Sequence, residues 1–248
     1  FLQYKEDGTF NITRPLNSNL FYSLQDFEIK KNELIALLGN IRAEAHNTEA
    51  YRTVLNRCIY TIQQCIGAAL DALPANESNR AKKINGDLFE RLIRLLFTMC
   101  DISCSSGEVP IAINFDNDES FTMTYQHDLI VKQGSVVKAI GSVKTSSKDR
   151  IDKVFLDKFL YSRLTETTLP HFAVFLNDVQ RKKVHSGSSY GVSQTFLPGK
   201  FKAYTIKLNP LNGVYYCDIR PIMLSDNLLH QHIKTFDHLL FDDIWSLL

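Results

Sequence analysis

YQHDLIVKQGSVVKAIGSVKTSSKDR, residues 125–150, reads as two β-strands joined by a tight turn. The first strand starts near Phe121. By the two-residue period of a strand, Phe121, Met123, Tyr125, Leu129 and Val131 fall on one face, and Thr122, Thr124, Gln126 and Asp128 on the other. Gln133, Gly134 and Ser135 separate two apolar runs as a hairpin turn does. The second strand, Val136 to Lys144, is therefore expected to return antiparallel beside the first. On it Ser142 and Lys144 share one face, and Val137, Ala139, Gly141 and Val143 the other. If pairing brings the strand ends together, the Asp128 carboxylate meets the Lys144 ammonium. Beyond Lys144 the chain turns polar at once and carries Lys148, Asp149 and Arg150 in a row.

An Asp and a Lys on neighbouring strands also describe a solvated sheet edge, so the flanking helices matter. Upstream, a helix is expected from about Asn85, with Leu88, Phe89, Leu92, Ile93, Leu95, Leu96 and Met99 as its apolar stripe. At about 100° per residue Glu90 sits at the margin of that stripe, beside Ile93 and Phe97. A half-interior carboxylate needs a partner. Arg94, four residues on, is the plain one, and a metal ion shared with Asp128 is the functional one. Downstream, Asp152 to Leu164 reads as a helix apolar nearly all round and hence buried, with Asp157 among Val154, Leu160, Tyr161 and Leu164. Asp157 has Lys153 or a nearby Arg as its plain partner. The apolar run His171 to Leu176 fits a central parallel strand, which makes the helix before it a strand-to-strand crossover.

The rest of the chain bounds the problem. At 248 residues it can hold one sizeable core, with a helical N-terminal region over 1–79 and a main domain over 80–248 that carries the hairpin. The fold class expected is α/β (α+β), a mixed central sheet flanked by helices. Residues 1–20 read as a loose lead-in, followed by helices through Phe27–Ile41 and Val54–Leu70 and a polar linker at Ala75–Asn79. These N-terminal helices pack on each other or on the main domain, or form a dimer contact. The acidic run at 116–119 reads as a hairpin tip. Val179 to Lys200, with Arg181, Lys182 and Lys183, shows no periodicity and is expected to drape over a ligand. Late strands are expected at Phe201–Leu208 and Val214–Ile219, and a C-terminal helix at Leu228–Leu248.

No apolar run approaches the roughly 18 residues of a membrane span, and no signal peptide is visible. The chain opens on Phe1, so residues before it are expected in the natural protein. A net charge of +1 rules out a histone-like basic coat but not local phosphate contact. Five cysteines at irregular spacing, an odd number, fit a reducing cytoplasm and show no zinc pattern.

The order of these pieces resembles the PD-(D/E)XK nuclease superfamily, and within it the type II restriction endonucleases. The pattern there is a helix with an acid, a strand with an Asp, a strand ending in acid-x-Lys, and a further helix. Gly86-Asp87-Leu88-Phe89-Glu90, His127-Asp128 and Ser142-Val143-Lys144 fill those places, over roughly residues 84–180. Two departures stand out: no Pro precedes Asp128, and Ser142 occupies the usual place of the second acid. Serine there, with the acid supplied from a helix, resembles the branch that cuts CCGG-containing sites, as does the basic-Asp-Arg segment Lys148-Asp149-Arg150.

The resemblance implies a bacterial, cytoplasmic, restriction-endonuclease-like homodimer that hydrolyses double-stranded DNA with Mg²⁺ and needs no nucleotide cofactor. Asp128, the Val143 carbonyl and a carboxylate from Glu90 or Asp157 would hold the metal. Lys144 would act on the attacking water, with Ser142 at most binding a ligand water. Lys148, Asp149, Arg150, Arg181, Lys182 and Lys183 would contact DNA. Two alternatives stay open on the residues alone: a repair or structure-selective nuclease of the same fold, and a DNA-binding subunit without chemistry.

Overall fold

The computed structural model describes residues 2–4, 10–12, 14–114, 120–183 and 190–248. The acidic run at 116–119 lies outside them. The chain is a mixed α/β fold around a six-stranded sheet of order β10-β9-β6-β5-β4-β3. The hairpin that organises the sequence is its middle: β4 (Ser120–Gln133) pairs antiparallel with β5 (Val136–Lys144) across the turn at Gly134, whose φ of 60° suits glycine. On one flank β3 (Ser103–Asn114) runs antiparallel to β4. On the other, α4 (Ile151–Thr165) crosses over to β6 (His171–Phe175), parallel to β5 and buried at every residue. β9 (Gly213–Tyr216) and the short β10 (Ile233–Thr235) extend the parallel half.

Alternation along β6 divides the core between two faces. Phe172 and Val174 join a cluster built from α1 (Leu24–Leu38), α2 (Glu49–Asp71) and α3 (Ser78–Met99), through Leu37, Leu55, Phe89 and Phe97. Ala173 and Phe175 join Phe155 of α4, Phe201 of α5 (Pro198–Lys207) and Leu229 of α6 (Asn227–His232). The N-terminal helices thus share one core with the sheet. They are tied to the C-terminal helical segment as well, where Arg52 bonds Asp237 and Asp242 at 2.8 Å each.

Several expectations are corrected. Residues 2–4 and 10–12 form a small hairpin, β1 (Leu2–Tyr4) with β2 (Phe10–Ile12), where a loose lead-in was expected. The linker at 75–79 is a 3₁₀ turn running into α3, which starts at Ser78, not Asn85. Phe201–Leu208 is helical: Pro198 suits a first turn, and the buried Phe201 and Thr205 are one helical turn apart. The C-terminal helix is interrupted, because Ile233–Thr235 leaves it to pair with β9 before helical turns resume at Phe236. Within 179–200, where no periodicity was read, β7 (Val179–Lys183) and β8 (Tyr190–Gln194) pair as an antiparallel ribbon. Finally, α4 is buried on one side only. Leu156 and Leu160 face outward at 50% and 37% exposure, since the sheet and α5 cover only the side that carries Val154, Phe155 and Tyr161.

Candidate active site

The strand periods expected for β4 and β5 break at two irregularities, and one of them builds the site. Across the β3–β4 ladder Ser105 pairs with Ile130 and Gly107 with His127, so Asp128 and Leu129 together oppose Ser106 alone. This is a β-bulge on β4, eased on the partner strand by Gly107 at φ 139°. A bulge exchanges the faces of the residues on either side. Tyr125 consequently packs with Ile140 and Tyr161 on the α4 face, while Leu129 and Val131 enter the α3 face, contrary to the shared face expected. A second irregularity at Lys138 likewise parts Val137 from Ala139.

Asp128 sits at the bulge, just past the last β4–β5 pair, Leu129 with Gly141. Its Oδ2 accepts the Val143 main-chain N–H at 2.9 Å and the Lys144 Nζ at 2.5 Å. The same Nζ donates to Oε1 of Glu90, reaching over from α3, at 3.0 Å. Arg94, one turn beyond Glu90, donates to the Asp128 carbonyl at 3.3 Å and so ties the helix that carries one acid to the strand that carries the other. Arg94 is thus bound to the Asp128 main chain, and the partner of Glu90 is Lys144.

The three side chains are 20–29% exposed, buried enough to feel one another and open enough to be reached. Burial, joined by the charge of Asp128, pushes the Glu90 carboxyl up against the pull of Lys144. Burial draws the Lys144 ammonium down, but the Asp128 and Glu90 carboxylates outweigh it and hold it above the usual lysine range. Lys144 therefore stands charged between two acids.

Beside this triad lies a small cavity of about 40 Å³, lined among others by Asp128, Ser142, Lys144, Arg150, Lys153 and Asp157. Asp157 is half-buried and accepts the Tyr125 hydroxyl at 2.8 Å, so neither Lys153 nor an arginine is its hydrogen-bond partner. Of the basic segment after β5, Arg150 reaches this cavity. Asp149 turns the chain into α4 with a left-handed φ of 54° and lines the neighbouring cleft, and Lys148 is exposed. Arg181 lines a separate cleft with Arg14 and Lys82, and Lys182 is exposed on β7. The Lys183 side chain lies outside the described residues. Arg94 and Tyr125 were missed as site residues. Only the spacing of Arg94 after Glu90 carried a signal.

Among the solved structures that match, two align over nearly the whole chain. Type IIP restriction endonuclease Kpn2I superposes with a TM-score of 0.70 at 19% identity, over 97% of this chain and 77% of that one. The chain has the type II restriction endonuclease fold. Restriction endonuclease PspGI, in complex with its substrate DNA, matches at 0.53 and 13%, over 94% and 93% of the two chains. No protein-family model and no curated protein matches the chain. In this restriction endonuclease fold the acid–lysine–acid cluster sits where the antiparallel hairpin gives way to the parallel half of the sheet. Among the described residues no helix is long and apolar enough to cross a membrane.

Whether a metal fits can be judged from the donors. Among the described residues no three His, Cys, Asp or Glu side chains gather as a ligand set. The carboxylates of Asp128 and Glu90 do converge on one cation, Lys144 Nζ. A third oxygen is at hand. The Lys144 carbonyl accepts from Leu176 on the β6 side, so by strand alternation the Val143 carbonyl faces the β4 side, as does the Val143 N–H bound to Asp128. An all-oxygen set of this kind suits a hard divalent cation such as Mg²⁺.

Proposed function

We propose that the chain is a Mg²⁺-dependent type II restriction endonuclease that hydrolyses phosphodiester bonds of double-stranded DNA. The observation that carries this is Lys144 Nζ held between Asp128 and Glu90, 2.5 and 3.0 Å away, at the end of a strand in this fold. Asp128, Glu90 and the Val143 carbonyl are the proposed ligands, with Asp157 close enough to the cavity to bind through water. Bound there, Mg²⁺ would supply charge neutralisation at the phosphoryl oxygens and an acidified water.

The chain's own part is positioning. The Val143 N–H and the Arg94 guanidinium fix both ends of Asp128, its carboxylate and its carbonyl. Before any metal binds, the two carboxylates hold Lys144 charged, and it lies where it can act on the attacking water or donate to a phosphate oxygen. Ser142, on the cavity wall, can hold a water through its hydroxyl.

Site choice is assigned to the segment before α4. Lys148 and Arg150 can donate to guanine O6 and N7, and Asp149 can accept from cytosine N4, a set suited to adjacent G·C pairs and hence to a CCGG-containing site. Arg181, Lys182 and Lys183 are assigned to the phosphate backbone. A two-fold symmetric site requires two such centres, so a homodimer of about twice 28.3 kDa is expected in sedimentation. The bacterial cytoplasm is the setting this reading implies.

The experiment is incubation of phage DNA with the protein and Mg²⁺, followed by sequencing of the ends. Discrete fragments sharing one end sequence are expected. In Lys144→Ala cutting should fall by about 10²-fold or more while the circular dichroism spectrum is kept. Undiminished cutting by that variant would show the site to be misassigned.

A further inference from the structure

The middle of α3 carries a glycine, Gly86, that no contact among the described residues explains. Gly86 is part of a regular helix, and its φ is not in the left-handed region that favours glycine. Among the described residues a Cβ built on it meets no heavy atom of another segment within 4 Å, so none of them requires the missing side chain. A mid-helix glycine weakens a helix relative to alanine, and one use of such a bare position is close approach of another molecule to the backbone.

The position of Gly86 indicates what approaches. It precedes Glu90 by one turn, about 40° away around the helix axis and about 6 Å along it. It is half-exposed at the margin of the buried stripe of Asn85, Phe89, Ile93 and Phe97, with Phe97 between it and that acid around the axis. One turn earlier come Lys82 and Lys83, both exposed and without an ion pair among the described residues. Along its length α3 has five cations, Arg80, Lys82, Lys83, Arg91 and Arg94, against two acids, Asp87 and Glu90. Glu90 is already engaged by Lys144.

We propose that the sugar–phosphate backbone of DNA crosses α3 at Gly86, with Lys83 on a phosphate. The bare helix turn is the notch that lets the strand descend to Asp128, Glu90 and Lys144. This rests on the nuclease reading and adds to it a contact surface on the helix that supplies the acid. A side chain at 86 would hold the strand off the site, and a displacement of about 1 Å can cost of the order of 10²-fold in rate.

The test compares wild type, Gly86→Ala, Gly86→Leu and Lys83→Ala on phage DNA. Three quantities are read: initial cutting rate with Mg²⁺, DNA retention in EDTA as a function of salt, and Tm. Gly86→Ala should keep or raise Tm and still cut more slowly. Gly86→Leu should cut about 10²-fold more slowly with Tm kept. Lys83→Ala should flatten the salt dependence of binding by about one counterion. Wild-type cutting by Gly86→Leu, or a loss that merely follows a fall in Tm, overturns the track and leaves the nuclease reading standing. Wild-type protein that neither binds nor cuts DNA sinks both.

Discussion

Asp157 and Glu90 are the two carboxylates that could complete a metal site with Asp128, and their environments separate them. Glu90 shares Lys144 with Asp128, whereas Asp157 is occupied by the Tyr125 hydroxyl. Glu90→Gln should therefore lower cutting by about 10²-fold and raise the Mg²⁺ concentration for half-maximal rate, and Asp157→Asn by only about 10-fold. A titration of rate against Mg²⁺ in the two variants decides it, and the reverse order would move the ligand role to Asp157.

At the same scale His171, 3% exposed on β6, has an Nε2 without a partner among the described residues. Burial pushes it down to about 4. The unfolded chain takes the proton near pH 6.5 and the folded one only near 4, so the stability is fully present above about 6.5. As pH falls from there towards 4 it is lost, up to about 3 kcal/mol. Urea unfolding across this window should show the fall, and a His171→Phe variant should show a shallower one.

Among the elements, α5 is the one whose sequence pattern misled. Phe201, Ala203 and Thr205 alternate with polar or larger residues as a strand would, while Phe201 and Thr205 also sit one helical turn apart. Packing resolves the ambiguity: Phe201 meets Phe155 of α4 and Phe196 with ring centroids 5.5 and 5.6 Å apart. Tyr204, three residues on, meets the same Phe155 ring at 5.6 Å, whereas a strand would turn Tyr204 to the face opposite Phe201. Phe201→Ala should cost about 3–5 kcal/mol, read from denaturant unfolding. A loss below about 1 kcal/mol would mean that α5 is not anchored through that ring. β4 is the opposite case. Its limits, its turn and its pairing with β5 are legible from alternation and from Gly134, but the bulge at Asp128 is not. A bulge depends on how two strands line up, and the period of one strand alone cannot report it.

Across the whole molecule the boundary suggested at residue 79 coincides with the start of α3, but it does not coincide with an edge of the core. Leu37, Leu55 and Ile59 from the first two helices belong to the same cluster as Phe97, Leu129 and Phe172. A fragment of residues 78–248 should consequently lack fixed near-ultraviolet dichroism, and the full chain should unfold in a single transition. A stable, cooperatively folding fragment would show the N-terminal helices to be an independent unit.

By itself the sequence determined whatever is local: the hairpin and its turn, the largely apolar run of β6 and the periods of α2 and α3, while the candidacy of Asp128, Lys144 and Glu90 came with the family resemblance. The local features follow from side-chain spacing and turn chemistry within a few residues. Only the tertiary structure decided the face exchange at the bulge, the partners of Arg94 and Asp157, the helical state of residues 198–207 and the strand at Ile233–Thr235. Each of these depends on contacts between segments far apart in the chain, where competing local preferences are nearly balanced and burial settles the outcome.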